Sequence, residues 1–154
     1  TVAAEKPLWN HAVSATALYT LYSNSTFNGT MGQPDGISKM CLGCHDNTHV
    51  NNRLDNFGGV GTVTTAILAA GNLGSDLSND HPISFVYDAA LITADGGLRT
   101  LATIFTGTTP ISGVLDASSK MQCSSCHNAH SSTFGKFLRI SNTGSALCLA
   151  CHIK

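Results

Sequence analysis

A mostly irregular chain with short α-helices and a few short β-strands is the fold class the sequence predicts. Three observations predict it. Fifteen glycines lie among many Ser, Thr and Asn residues and interrupt every apolar run. Charged residues make up 11% of the 154 positions, against roughly 25% in ordinary soluble domains. Six cysteines fall into one short pattern used three times. The length fits a single domain, 1–154, with a core of moderate size. Eight Lys plus Arg against nine Asp plus Glu give a formal charge of −1. That balance excludes the basic surface of a nucleic-acid binder, so no nucleic-acid partner is expected. A hydrophobic content of 42% excludes a disordered charged tail.

Residues 1–40 read as an N-terminal arm. Val13, Ala17, Leu18, Leu21 and Tyr22 recur at helical spacing and predict a helix near 12–22. A Gly-rich turn follows from Gly29 to Gly36. The start has no Met, no basic region and no long apolar stretch, so a mature chain with its signal peptide removed is expected. The uncharged runs 7–34, 56–75 and 100–115 are broken by polar residues and glycine. None supplies about 20 predominantly apolar residues, so no transmembrane segment is expected. The first cysteine cluster occupies 41–45. In the long segment 46–122, Val60–Thr64 and Leu101–Phe105 have the β-branched and aromatic content of short strands. Gly107 to Gly113, with Pro110, marks a turn. The other two clusters are packed into 123–152.

The clusters are Cys41-Leu42-Gly43-Cys44-His45, Cys123-Ser124-Ser125-Cys126-His127 and Cys148-Leu149-Ala150-Cys151-His152. Cys-x-x-Cys-His is the attachment signature of c-type haem. Cysteines three apart lie on one side of a helical turn, where both sulfurs can bond one porphyrin. The histidine that follows delivers an imidazole nitrogen to the iron. Structural zinc fits less well, because it takes four ligands from paired motifs. A redox Cys-x-x-Cys needs no following histidine, and a disulfide framework does not predict three identical clusters. The expected cofactors are therefore three covalent haem c groups with their irons. Cys41, Cys44, Cys123, Cys126, Cys148 and Cys151 would bind them, and His45, His127 and His152 would be proximal ligands. Porphyrins are then expected to supply much of the core. Thioether attachment of haem takes place outside the cytosol, which places the chain extracellularly, at the cell surface, or in the periplasm.

Four histidines remain for three second axial positions: His11, His49, His81 and His130. Met40 and Met121 lie on the N-terminal side of a motif, and Met31 lies in a Gly-rich loop. Histidine supply thus favours three bis-histidine irons, with lower potentials than His/Met ligation gives. His130, three residues after His127, can reach a neighbouring haem rather than its own; the alternative is a surface histidine. His81 precedes Pro82, which biases it toward extended backbone, and apolar residues follow. His11 reads either as a ligand or as a polar residue at a helix start. His49 lies one helical turn beyond His45 and is the spare, an alternative distal ligand or a solvated residue.

Taken together, these segments resemble multihaem c-type cytochromes of the doubled CXXCH, cytochrome c3-like group, found in anaerobic and metal-reducing bacteria. The resemblance rests on Leu8-Trp9-Asn10-His11, on Cys-Leu-Gly-Cys-His-Asp at 41–46, and on Asp76-Leu77-Ser78-Asn79-Asp80-His81-Pro82-Ile83-Ser84-Phe85. It rests also on Cys-Ser-Ser-Cys-His-Asn-Ala-His at 123–130 and on Ser145-Ala146-Leu147 before the last motif. It implies a haem-cored fold and distal ligation by His11, His81 and His130. Relatives tend to read Gly-Thr and an apolar residue where this chain has Asn47-Thr48-His49, so His49 inherits no role.

The expected function is electron transfer through three closely spaced bis-histidine haems. Two forms are open: a soluble periplasmic carrier, or the repeating subunit of an extracellular filament, a form known among the outer-surface relatives. Low charge favours the second, since soluble monomers gain solubility from charged surface. In a homopolymer, His11 could reach a haem of the neighbouring subunit. Two propionates per haem add six negative charges to the formal −1, giving about −7 before pairing. Other redox proteins or extracellular electron acceptors are the expected partners. Catalysis is not expected, because a haem reductase needs an open iron position and the histidine count opposes one. Asn24-Ser25-Thr26 and Asn28-Gly29-Thr30 are glycosylation sequons.

Overall fold

The computed structural model describes residues 18–46, 52–53, 62–63 and 71–153. Its regular elements are few and short, as expected. The longest helix, α1, is Gly36–His45, and the remaining helices run four to seven residues. The strands pair two by two, always antiparallel. Among the described residues no helix is long and apolar enough to cross a membrane. The chain divides into two compact units, 1–22 with 32–82, and 23–31 with 83–154.

In the first unit, α1 turns Ser38 and Leu42, one helical turn apart, to the inside; both have no exposed surface. Strands β1 (Asn52–Arg53) and β2 (Thr62–Val63) form one pair, with Asn52 opposite Val63. Strand β2 falls within the run 60–64 expected to be extended. The expected helix near 12–22 is corrected where it is described. Residues 18–22 are non-helical, and Thr20 makes a parallel bridge to Asp76. Thr20 N–H donates to the Ser75 carbonyl, and the Thr20 carbonyl accepts from Leu77 N–H. The Gln33 side-chain amide takes both Tyr19 backbone groups, at 2.8 and 3.1 Å. With their backbone groups drawn sideways, these residues cannot close helical bonds. Residues 12–17 lie outside the described residues.

The second unit is built around a side-chain cluster of Phe85, Tyr87, Leu91, Leu98, Phe105, Ile111, Val114, Met121 and Cys151. All of it but Cys151 comes from 85–121, the stretch without a cysteine motif. Strand β3 (Phe85–Val86) pairs with β6 (Lys120–Met121), so Phe85 faces Met121. Phe27 adds an edge-to-face contact on Phe85, with ring centroids 5.4 Å apart. Helix α2 (Ala89–Asp95) is started by Asp88, whose carboxylate accepts from Leu91 N–H at 2.8 Å, and stopped by left-handed Gly96. Strands β4 (Ile104–Thr106) and β5 (Thr109–Pro110) form a hairpin. Of the run Gly107 to Gly113 expected as a turn, only 107–108 makes the hairpin turn, while Thr109–Pro110 pair as strand and Ile111–Gly113 form a 3-10 turn. The strand begins at Ile104, not Leu101, because Thr103 N–H closes a turn on the Thr100 carbonyl. Short helices α3 (Cys123–Cys126) and α4 (Ala146–Leu149) complete the unit.

Tyr87 ties this core to the last cysteine motif. Its side chain is 1% exposed, and its hydroxyl donates to the Arg99 carbonyl at 2.8 Å, with the Cys151 carbonyl 3.4 Å away. Burial, then the Cys151 and Asp95 charges, push its pKa up to about 12 against Arg99. Between the ordinary value near 10 and about 12, the unfolded chain has lost a proton that the folded chain keeps. Stability therefore falls with rising pH over that window. Tyr87→Phe is expected to cost about 1–2 kcal/mol at neutral pH through the lost hydrogen bond. It also flattens the alkaline limb, a pair of effects that denaturant titration at pH 7 and pH 11 reads directly.

Candidate haem sites

All six motif cysteines are described, and none is in a disulfide. In each motif the cysteines close one helical turn. Cys41 and Cys44 lie in the last turns of α1, Cys123 and Cys126 bound α3, and Cys151 N–H donates to the Cys148 carbonyl at the end of α4. This is the spacing that two thioether bonds to one porphyrin require. Burial, then the Asp46 carboxylate, raise the Cys44 pKa. Burial, then Cys123 and Cys148, raise that of Cys126 against Arg139. Cys151 is pushed up to about 11 by burial and Cys126, against Arg99. Such thiols are not the low-pKa thiolates of a redox Cys-x-x-Cys. The mutual influence of Cys126 with Cys148 and Cys151 also places motifs 2 and 3 within electrostatic reach of each other. Among the described residues no three His, Cys, Asp or Glu side chains converge as a metal-binding group.

The histidines carry the more specific geometry. His45 Nδ1 lies 2.6 Å from the Gly71 carbonyl. His127 Nδ1 lies 2.9 Å from the Lys136 carbonyl, and His81 Nδ1 2.9 Å from the Pro82 carbonyl. A carbonyl only accepts, so each contact places the proton on Nδ1, which at His45 and His127 turns the Nε2 lone pair to the metal-binding role. All three residues are exposed. His152 is half-buried and bridges to Leu98. His130 is exposed three residues beyond His127, its N–H donating to the Asn128 side chain. His11 and His49 lie outside the described residues. Met121 is buried in the core, and Met31 packs against it.

The segment that serves His127 is strained. Gly135, Lys136 and Phe137 have φ of 72°, 45° and 56°, and the last two are not glycine, so the left-handed backbone is unfavourable there. It is held because Asn128 N–H donates to the Phe137 carbonyl at 2.7 Å while Lys136 offers its carbonyl to His127. Several apolar side chains stay exposed: Ile37, in α1 ahead of motif 1, and Leu73, whose N–H donates to the His45 carbonyl; Phe134 and Phe137 in the segment that serves His127; Leu149 inside motif 3 and Ile153 directly after it. Apolar surface at these places suits the face of a porphyrin. Sulfur pairs, Nε2 lone pairs and apolar flanks thus fit covalent haem on this chain.

Several supporting residues escaped the sequence reading. Gln122 is 1% exposed; its N–H donates to Ser125 Oγ, and its amide joins Asp116 and Ser84 at the start of motif 2. Gln122 and Ser125 cap each other reciprocally, but in the reverse of the usual order of Ser or Thr before Glu or Gln, so the sequence carries no ordinary capping signal there. Tyr19, buried, donates to the buried Asp46 carboxylate beside motif 1 at 2.7 Å. Arg99 and Arg139 each reach into an attachment turn.

Residues 117–154, covering motifs 2 and 3, match a family model described as the doubled CXXCH motif. No curated protein matches the chain. The match, over about a quarter of the chain, supports likeness to c-type multihaem cytochromes and points to covalent haem binding and electron transfer.

Proposed function

We propose that the chain carries three covalent haem c groups, one on each Cys-x-x-Cys-His motif, each iron held by two histidines, and that it moves electrons between them. Each group would supply a one-electron iron couple. The chain's own contribution is to hold the sulfurs on one turn and present Nε2. The observation that carries this reading is the repeated Nδ1-to-carbonyl contact at His45, His81 and His127. It prepares one proximal ligand in each unit and one distal ligand with the same tautomer. His152 completes the proximal set; His11, His81 and His130 are the distal set, with His49 in reserve.

The low charge of 11% supports a form assembled as an extracellular homopolymer. A periplasmic monomer is the alternative. Intact mass should give the chain plus three haems, and the ferric spectrum should be low-spin throughout. A high-spin signal from one haem would show an open iron and turn the reading toward a reductase. Light scattering on a column monitored at haem absorbance separates polymer from monomer. A haem-coloured species at void volume, seen as regular filaments, is the expected result; a peak at the mass of one chain overturns the polymer.

A further inference from the structure

Motifs 2 and 3 are held by the same clip, built from Phe137-Leu138-Arg139 and Gly97-Leu98-Arg99. Leu138 forms an antiparallel bridge with His127, and Leu98 with His152. Arg139 N–H donates to the Cys126 carbonyl at 2.9 Å, and Arg99 N–H to the Cys151 carbonyl at 2.8 Å. The residue after each histidine returns the bond: Asn128 N–H to the Phe137 carbonyl, Ile153 N–H to the Gly97 carbonyl. Each arginine then folds its Nε onto the residue after the first cysteine. Arg139 reaches the Ser124 carbonyl at 2.7 Å, and Arg99 the Leu149 carbonyl at 2.7 Å. Two segments forty residues apart thus make the same three hydrogen bonds, two of them forming the bridge, with two motifs twenty-five apart.

Motif 1 is built differently. Its His45 carbonyl takes the Leu73 N–H, and the residue after the histidine is Asp46, whose buried carboxylate accepts from Tyr19. No arginine is bonded to the turn of motif 1 among the contacts described: Asp46 follows its histidine and Lys39 precedes it in α1, whereas the turns of motifs 2 and 3 each take a guanidinium directly, Asp116 reaching motif 2 only through Gln122.

We propose that Arg99 and Arg139 are positioning residues for the haems on motifs 3 and 2, anchoring a positive charge on each attachment turn that raises the reduction potential there above that at motif 1. The inference rests on the haem reading given above. Oxidation of an iron adds a positive charge, and a fixed guanidinium nearby opposes that form. The Nε anchor matters because a charge on a free side chain would spend its time in water.

The test is a spectroelectrochemical titration of the intact holoprotein, with haem number fixed by mass in every variant. Arg99→Gln and Arg139→Gln should each lower the potential of one haem of three and leave the others in place. Arg99→Lys and Arg139→Lys, which keep the charge, should lie between wild type and the Gln variants. Raising ionic strength should lower the same two potentials in wild type, a readout that needs no variant to fold. Unchanged potentials in Gln variants that carry three haems overturn the inference, as does an equal fall for Lys and Gln. A wild-type chain without three haems overturns the haem reading itself, and mass distinguishes that failure from the other.

Discussion

Replacing Cys123 and Cys126 together with alanine is expected to yield a protein lighter by one haem, with haem absorbance reduced by a third. The two sulfurs bound the same four-residue helix, so no other cysteine can take their place on that porphyrin. His127 keeps its Nδ1 contact with Lys136 in the variant, but a lone imidazole gives only reversible attachment, which denaturing mass analysis removes. The same exchange at motif 3 should do more. Cys148 is exposed, but Cys151 belongs to the buried cluster with Tyr87 and Leu98. The double variant there should lose one haem and also about 1 kcal/mol of stability from the emptied contact. An unchanged mass in either variant would show that the motif concerned does not attach haem.

What could be read from the chain beforehand was whatever is local in sequence. Five residues suffice to define a Cys-x-x-Cys-His motif, and at each of the three the chain does make one helical turn between the cysteines. His81 likewise carries its own hydrogen-bond partner in the next residue, Pro82. The clip was not readable. Arg99 reaches Leu149 across fifty residues, and a Leu-Arg pair carries no periodic or spacing signal. The failed end of the expected helix near 12–22 has the same cause. Leu18, Leu21 and Tyr22 do fall at helical spacing, yet Thr20 is drawn to Ser75 and Leu77, and Tyr19 to Gln33. Backbone groups choose among distant partners by total satisfaction, not by local pattern. The short elements were legible, because the strand-like runs 60–64 and 101–105 are five residues each and Gly-rich turns separate them from the motifs.

Gln122→Ala is expected to be the most damaging single change near motif 2 that touches no cysteine or histidine. The side chain is 1% exposed and works in two directions. Its Nε2 donates to the Asp116 carboxylate at 2.8 Å, and its Oε1 accepts from Ser84 Oγ at 3.1 Å. Ser84 is itself buried, with a left-handed φ of 61°, and sits just before β3. Asp116 anchors the turn into β6, accepting from Ser118 and Lys120 N–H. Burial opposes its ionisation, but the bonds from Lys120, Gln122 and Ser118 outweigh that and hold its pKa below the usual carboxylate value. Truncation leaves a cavity and removes partners from a buried hydroxyl and a carboxylate, a loss of about 2–4 kcal/mol. The sign of the pH effect follows from Asp116. Its depressed pKa stabilises the fold above the unfolded value and is lost as pH falls through the folded one. Removing the Gln122 donor should shrink that acid-side dependence as well as the stability at pH 7. Gln122→Glu separates the two effects, since it keeps the volume but sets a second carboxylate against Asp116. Urea titrations at pH 3 and pH 7 should then show Glu nearly as damaging as Ala at pH 7, and partly rescued at pH 3, where the carboxyls take up protons. Equal loss at both pH values would mean that Gln122 serves as packing alone.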